Sequence, residues 1–362
     1  MKTRKELKMK IKIFSIILTF ILCLSIVSLL AACQNTGIEA GTSASTSTSA
    51  EGETREEETL PPPMEEADGD DLSYVLVDGN QSYAVLGLFN ESGAKKIIIP
   101  AEYNGLPVTA ISEYAFQSSD ALETLIIPDS VTHIGSYAFD GCTNLKNLEL
   151  SSNLTYLGSA AFDGCDSLPL STYDNALYIG DSDDPYAILV SATDTEIESC
   201  TIHASTKIIY DGAFFDCSDL EELIIPDGLI QIGYVFYDCH DLFPNNDYEG
   251  AYYLGNEENP FLVLVEARGN PTSIKVHEDT KLIAPYAFEN CDELTDLTLP
   301  DGLRFIGIDA FVGCELLAEV TVSTAEWTLI NGEYISKPVL FSTGDSDLVE
   351  VLKSGACTWM KK

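Results

Sequence analysis

The strongest constraint on this chain is a block that keeps returning. Leu122–Leu145 reads LETLIIPDSVTHIGSYAFDGCTNL, and the same pattern recurs at Leu145–Leu168, Leu220–Leu242 and Leu294–Leu317. The template is L-x-x-L-x-I/L-P-x-x-V/L-x-x-I-G-x-x-A-F-x-x-C-x-x-L. Its phenylalanines fall at Phe116, Phe139, Phe162, Phe214, Phe236, Phe288 and Phe311, separated by 23, 23, 52, 22, 52 and 23 residues. A fixed period of this size specifies a solenoid, in which each unit buries its apolar edge against its neighbours.

The cysteines set the register. Cys142, Cys165, Cys217, Cys239, Cys291 and Cys314 each stand three residues after a repeat phenylalanine, and Ser119 takes that place in the first unit. Counting back from them reaches one strand position in every unit: Leu125, Leu148, Cys200, Leu223, Ile274 and Leu297. Each long gap is therefore one ordinary repeat plus an insert. The inserts match one another, NALYIGDSDDPYAILV at Asn175–Val190 and GAYYLGNEENPFLVLV at Gly250–Val265, so a larger unit of roughly 75 residues is itself duplicated, a repeat within the repeat.

These I-P, I-G, A-F and C positions resemble the BspA-type leucine-rich repeat family, a class of bacterial surface proteins. The resemblance covers about Leu72 to Lys362. It implies a mainly β repeat solenoid and, for function, adhesion-type binding of host or microbial surface proteins without catalysis. The motif itself is a packing motif and says less about function than about fold.

Ahead of the repeats, residues 1–32 read as a lipoprotein signal peptide. A basic start (MKTRKELKMKIK) precedes the apolar Ile13–Ala32, which ends in Leu30-Ala31-Ala32-Cys33. Cys33 is the expected lipid attachment point, which places the chain on the extracellular face of the cell membrane. An uncleaved membrane span is the competing reading. Cleavage would remove six basic residues and one acidic one, taking the net charge from −39 to −44. Residues 33–71 are hydroxyl-rich, acidic and poor in apolar side chains, a composition expected to stay disordered as a tether. The repeat domain is expected over 72–362, starting with a β-hairpin cap at Leu72–Ala94 turned at Asp78-Gly79-Asn80. Inserts are expected near 169–193 and 243–269, and a cap over 320–362 with a helix at Asp345–Lys353 flanked by Trp327 and Trp359.

The repeat fixes every inward position, so partners must be met by outward ones. The outward strand residues form two columns, and their candidate contact residues are Lys96, Ile98, Thr124, Ile126, Asn147, Glu149, Ser199, Thr201, Glu222 and Ile224. The resemblance makes this strand face the concave surface of the solenoid. The columns carry no aromatic row and no single-sign stripe. Tyr173, Tyr178, Tyr186, Tyr248, Tyr252 and Tyr253 crowd the inserts, where two readings stay open: hairpin packing, or an exposed contact patch built on Tyr178, Tyr186, Tyr252 and Tyr253.

Other chemistry has little support. A net charge of −39 without a basic patch argues against nucleic acid. His203 and His277 occupy corresponding repeat positions, and no G-x-S-x-G, H-E-x-x-H or G-x-x-x-x-G-K is present. No cofactor or metal is expected. C-x-x-C spacing is absent, and the acidic loops Gly180–Pro185 and Gly255–Pro260 lack an EF-hand spacing and are expected to be solvated turns. The repeat cysteines read as buried thiols, with pairing between neighbouring rungs as the alternative. The reading that results is a lipid-anchored surface protein binding an unknown protein or surface ligand. A structural envelope protein or solute-binding lipoprotein is the alternative, and a glycan-active enzyme a remote one.

Overall fold

The computed structural model describes residues 64–89, 93–239, 242, 246–322, 325–330, 335–341, 346–354 and 358–361. The lipoprotein signal and Cys33 lie outside these residues, and so do Asp345 and Gly355 at the ends of the C-terminal helix.

Each repeat contributes two short strands. The L-x-L strand gives a parallel ladder through Ala94–Ile98, Thr124–Ile126 and Asn147–Glu149, with Leu125 beside Ile97 and Leu148. The I-G strand gives a second ladder through Leu106–Ile111, His133–Ile134 and Tyr156–Leu157. Between them the A-F turn stacks one phenylalanine on the next. Phe116, Phe139 and Phe162 lie 5.4 and 5.3 Å apart and within 9° of parallel. The glycine of I-G is a clearance residue. A Cβ at Gly135 would come within 2.4 Å of the Glu113 nitrogen on the preceding rung, and one at Gly158 within 2.3 Å of the Ser136 nitrogen.

The expected single ladder is interrupted at both inserts. The L-x-L strands form three separate sheets: one ending at Asn147–Glu149, one of Ser199–Thr201 with Glu222–Ile224, and one of Ser273–Lys275, Asp296–Thr298 and Glu319–Thr321. The phenylalanine stack breaks at the same points and restarts as Phe214 on Phe236 and Phe288 on Phe311. The chain is thus a mainly β solenoid divided into three blocks.

The inserts cause the division. Ser171–Tyr173, Ala176–Ile179 and Ile188–Ala192 form an antiparallel meander, and Ile188–Ala192 then joins the I-G strand Ile208–Ile209 in parallel. The second insert repeats this with Asp247–Tyr248, Ala251–Leu254 and Val263–Ala267. Each new I-G sheet is buried on both faces. Leu189, Ile209 and Ile232 point into the second block, whereas Ile188 and Ile208 pack into the core of the first. Likewise Leu264, Ile283 and Ile306 belong to the third block, and Val263, Leu282 and Phe305 to the second. One block's sheet closes the open end of the block before it.

Polar side chains complete that closure. Within a block, the Phe139 N–H donates to the Ala161 carbonyl of the next rung. Phe162 has no such rung, and its N–H donates to the Tyr210 hydroxyl at 3.2 Å. The Leu157 N–H donates to Gln231 Oε1 at 2.8 Å, and Gln231 Nε2 donates back to the Leu157 carbonyl at 2.7 Å. At the next junction Arg304 donates to the carbonyls of Asp227 and Leu229, both at 2.7 Å. Buried backbone groups need partners, and here side chains stand in for the missing strand.

At the N-terminal side, Leu72–Val77 and Ser82–Leu88 form the antiparallel hairpin, which joins the I-G ladder through Leu106–Ile111. The stretch expected to be tether up to Asp71 is corrected in part. Met64–Ala67 is a strand parallel to Ala94–Ile98, and Asp68 caps a 3-10 turn at Gly69–Asp71. The exposed edge of Ala94–Ile98 needs a backbone partner, and the acidic residues suit its lysines: Glu65 pairs with Lys95 at 2.6 Å and Glu66 with Lys96 at 2.8 Å. At the other end, the helix Ser346–Ser354 places Leu348, Val349 and Leu352 in the third core with Trp327 and Trp359. Thr358–Lys361 runs antiparallel to Phe305–Ile306 and to Ala325–Ile330.

The seven described cysteines are unpaired and buried, and their placement has a hydrogen-bonding reason. Cys142, Cys165, Cys239 and Cys314 each donate the thiol proton to the phenylalanine carbonyl one rung back, Phe116, Phe139, Phe214 and Phe288, at 2.9–3.2 Å. Burial pushes the thiols of Cys239 and Cys314 up to about 12, so the proton stays on sulfur and remains available to donate.

Candidate binding surface

The outward L-x-L columns remain accessible in three strips. Asn147, Glu149, Ser199 and Glu222 are exposed, and Lys96, Thr124, Thr201 and Ile224 are half-buried. Ile98 and Ile126 are direct register partners, with Glu149 next in line. Both isoleucines are half-buried, so they form a small apolar patch at the centre of the first strip. Lys96 is held by Glu66, and Asn147 donates to the Thr124 hydroxyl at 3.1 Å. The single concave face implied by the resemblance is replaced by these three strips, because the L-x-L ladder stops wherever an insert turns the chain.

The insert tyrosines resolve residue by residue. Tyr178 is 0% exposed and Tyr253 3%, so neither belongs to a contact surface. Each points into its own block and meets the backbone just after that block's first L-x-L strand: the His203 N–H donates to Tyr178 at 3.3 Å and the His277 N–H to Tyr253 at 3.4 Å. Tyr186 is half-buried against His203, with ring centres 4.2 Å apart. Phe261 holds the matching place on His277 at 3.9 Å. Tyr252 lies under the Arg268 guanidinium, 3.5 Å from ring centre to carbon. The corresponding histidines are thus parts of two copies of one aromatic cluster.

The acidic insert loops are docking turns. Asp181 accepts the N–H groups of Asp183 and Asp184 at 2.8 and 3.0 Å and that of Leu150, beyond the last strand of the first strip, at 3.0 Å. Asn256 does the same for its own turn and donates to the Ile225 carbonyl at 2.9 Å. Among the described residues no group of three or more His, Cys, Asp or Glu side chains is placed to hold a metal ion.

A further aromatic surface lies in the I-G-x-x-A-F turns. The second x has a left-handed backbone, with φ of 57° at Tyr114, 56° at Tyr137 and 60° at Tyr286. Tyr114 is 50% exposed and stacks on Tyr137 at 5.1 Å. Farther along, Tyr234 meets Tyr286 at 5.0 Å and Tyr237 at 6.5 Å, and Tyr237 is 55% exposed. The signal was in the sequence: tyrosine recurs at a position where the backbone favours glycine or asparagine.

With this geometry in place, the comparisons with known proteins identify the class. The description "BspA type leucine rich repeat region" matches residues 87–182, 192–245 and 267–335 in six copies. The chain belongs to this BspA-type leucine-rich repeat family. Among solved structures, a leucine-rich repeat protein of T. pallidum is 21% identical, over 70% of this chain and 90% of that one, with a TM-score of 0.32. A leucine-rich cell surface protein of Faecalibacterium prausnitzii is 22% identical over 73% and 77%, with a TM-score of 0.31. A leucine-rich repeat protein of Bacteroides ovatus is 21% identical over 70% of each chain, with a TM-score of 0.32. No curated protein matches the chain.

Proposed function

We propose that this protein is a lipid-anchored, cell-surface binding scaffold whose outward L-x-L strips contact a partner protein. One observation carries the reading. The repeat commits its inward residues to packing and its turns to hydrogen bonds, whereas the strip columns stay accessible and vary from rung to rung. The Ile98–Ile126 pair is the best candidate contact, since a clustered apolar patch is more informative than scattered single residues. In this reading the hairpin Leu72–Leu88 and the C-terminal helix with its strands cap the two ends of the solenoid, as terminal repeats require.

Two experiments test it. Cys33→Ser is expected to leave an uncut precursor without lipid, because the acyl chain needs the thiol. Normal maturation and detergent partitioning of that variant would sink the anchoring. For the strip, a partner captured by the displayed chain is titrated against wild type and the Ile98→Asp, Ile126→Asp double variant. The expected outcome is at least about tenfold weaker binding, equivalent to about 1.4 kcal/mol, with a melting temperature only a few degrees lower because both side chains are half-buried. Unchanged affinity would move the contact away from the first strip.

A further inference from the structure

Among the described residues, the A-F turns form a surface with charge of one sign. The seven segments from the residue after the I-G isoleucine to the cysteine, 112–119, 135–142, 158–165, 210–217, 233–239, 284–291 and 307–314, contain no lysine, arginine or histidine. They carry Glu113, Asp140, Asp163, Asp211, Glu289 and Asp309 beside the turn tyrosines. The L-x-L face differs, with Lys95, Lys96 and Lys146 each held in an ion pair.

The tyrosines and carboxylates run on from block to block. Tyr114 stacks on Tyr137. Asp211, on the next block, accepts the Tyr234 N–H at 2.9 Å, and Tyr234 meets both Tyr237 and Tyr286. Burial raises the Tyr137 hydroxyl first, and Asp163, Asp140 and Asp211 raise it further, so these carboxylates lie near one ring. Local conformation does not demand tyrosine here, because Ala160, Gly212 and Asp309 hold the same turn position in other rungs with the same positive φ.

We propose that this tyrosine–carboxylate track is a docking surface for a segment of a partner protein rich in arginine and lysine. Charge complementarity names the occupant. Aromatic faces attract cations through the ring quadrupole, and guanidinium groups also stack on them. The carboxylates alongside supply ion pairs and suppress acidic partners. The inference rests on the scaffold being a binding protein, but it uses a different face from the strips.

The test uses the full chain in detergent and a synthetic peptide of alternating arginine and alanine, with citrulline replacing arginine in the control peptide. Wild type is expected to bind the arginine peptide and not the control, with affinity falling as salt rises. Tyr114→Asn with Tyr237→Ser removes two exposed rings, and asparagine accepts the left-handed backbone at 114. This variant is expected to lose about tenfold in affinity with its melting curve little changed. Glu257→Gln with Glu258→Gln, exposed on the acidic loop of the second insert and outside both the strips and the track, is expected to change affinity less than about twofold. An equal loss in this control would mean that the affinity does not depend on the track, and would overturn the proposal. Equal binding of the control peptide, or a tyrosine-dependent affinity for neutral oligosaccharides in place of the arginine peptide, would overturn it as well. Failure of the Ile98 and Ile126 variant would leave this result untouched.

Discussion

Phe139→Ala is expected to cost about 3–5 kcal/mol of folding free energy, the range for truncating a fully buried aromatic. Phe139 is 0% exposed and sits between two rings, Phe116 at 5.4 Å and Phe162 at 5.3 Å. Truncation would remove two stacking contacts at once and leave a cavity that its neighbours are poorly placed to fill. Its N–H bond to Ala161 and its carbonyl bond from Cys165 tie the turn to the following rung, and the Phe116 N–H bond to the Ala138 carbonyl ties it to the preceding one, so the turn cannot readily collapse into the space. Thr124→Ala, on the outward face of the neighbouring strand, is expected to change stability by less than about 0.5 kcal/mol. Denaturant melts of both variants check the pair. Equal effects would mean that the strand and turn registers described above are wrong.

Much of this fold was legible because a solenoid writes its contacts into a period. The phenylalanines, the cysteines and the strand leucines each recur at a fixed offset, and within a block the phenylalanines and strand leucines form the expected ladders. Sequence reading identified the cysteines as buried small side chains. Their second role, as donors to a carbonyl one rung back, became visible only with the backbone in place. The division into blocks was harder to see, although it too leaves marks. The I-G glycine exists to clear the rung beneath it. It is absent from the first full rung of each block, where Ser112, Tyr210 and Ala284 stand instead. The residue before the I-G isoleucine or its counterpart should face water in a simple solenoid. Here it is Ile208, Leu282 or Phe305, all buried against the previous block.

The candidate surface was less legible, for physical reasons. Tyr178 and Tyr186 sit eight residues apart in one insert and look alike in composition. Tyr178 lies in the strand Ala176–Ile179 beside a register shift between Leu177 and Tyr178, whereas Tyr186 lies in the turn before Ile188–Ala192, and that shift has no composition signal. Met64–Ala67 has acidic residues and little strand propensity, yet it pairs because the edge of Ala94–Ile98 offers unmet backbone groups and two lysines. Tertiary context outweighs local propensity in such a short strand.

Gln231 carries the second large effect. It lies in the I-G strand of the second block, at a position where the other described rungs of that sheet have Ile188 and Ile208. A glutamine among isoleucines is costly unless its amide is satisfied, and it is satisfied by both backbone groups of Leu157, 74 residues earlier. Removing it would strand one buried donor and one buried acceptor in the first block, each costing about 1–3 kcal/mol. Gln231→Ala is therefore expected to lose about 2–5 kcal/mol, more than loss of a surface glutamine would. The loss should be concentrated at the junction. Hydrogen exchange should show the Leu157 amide opening far more often, while amides inside the second block, such as Leu223, keep most of their protection. Gln231→Glu should be equally damaging at neutral pH, since a carboxylate accepts from the Leu157 N–H but has no proton for the Leu157 carbonyl and buries a charge besides. Wild-type stability in both variants would show that the blocks are held by apolar contact alone, through Ile188, Ile208 and Tyr210.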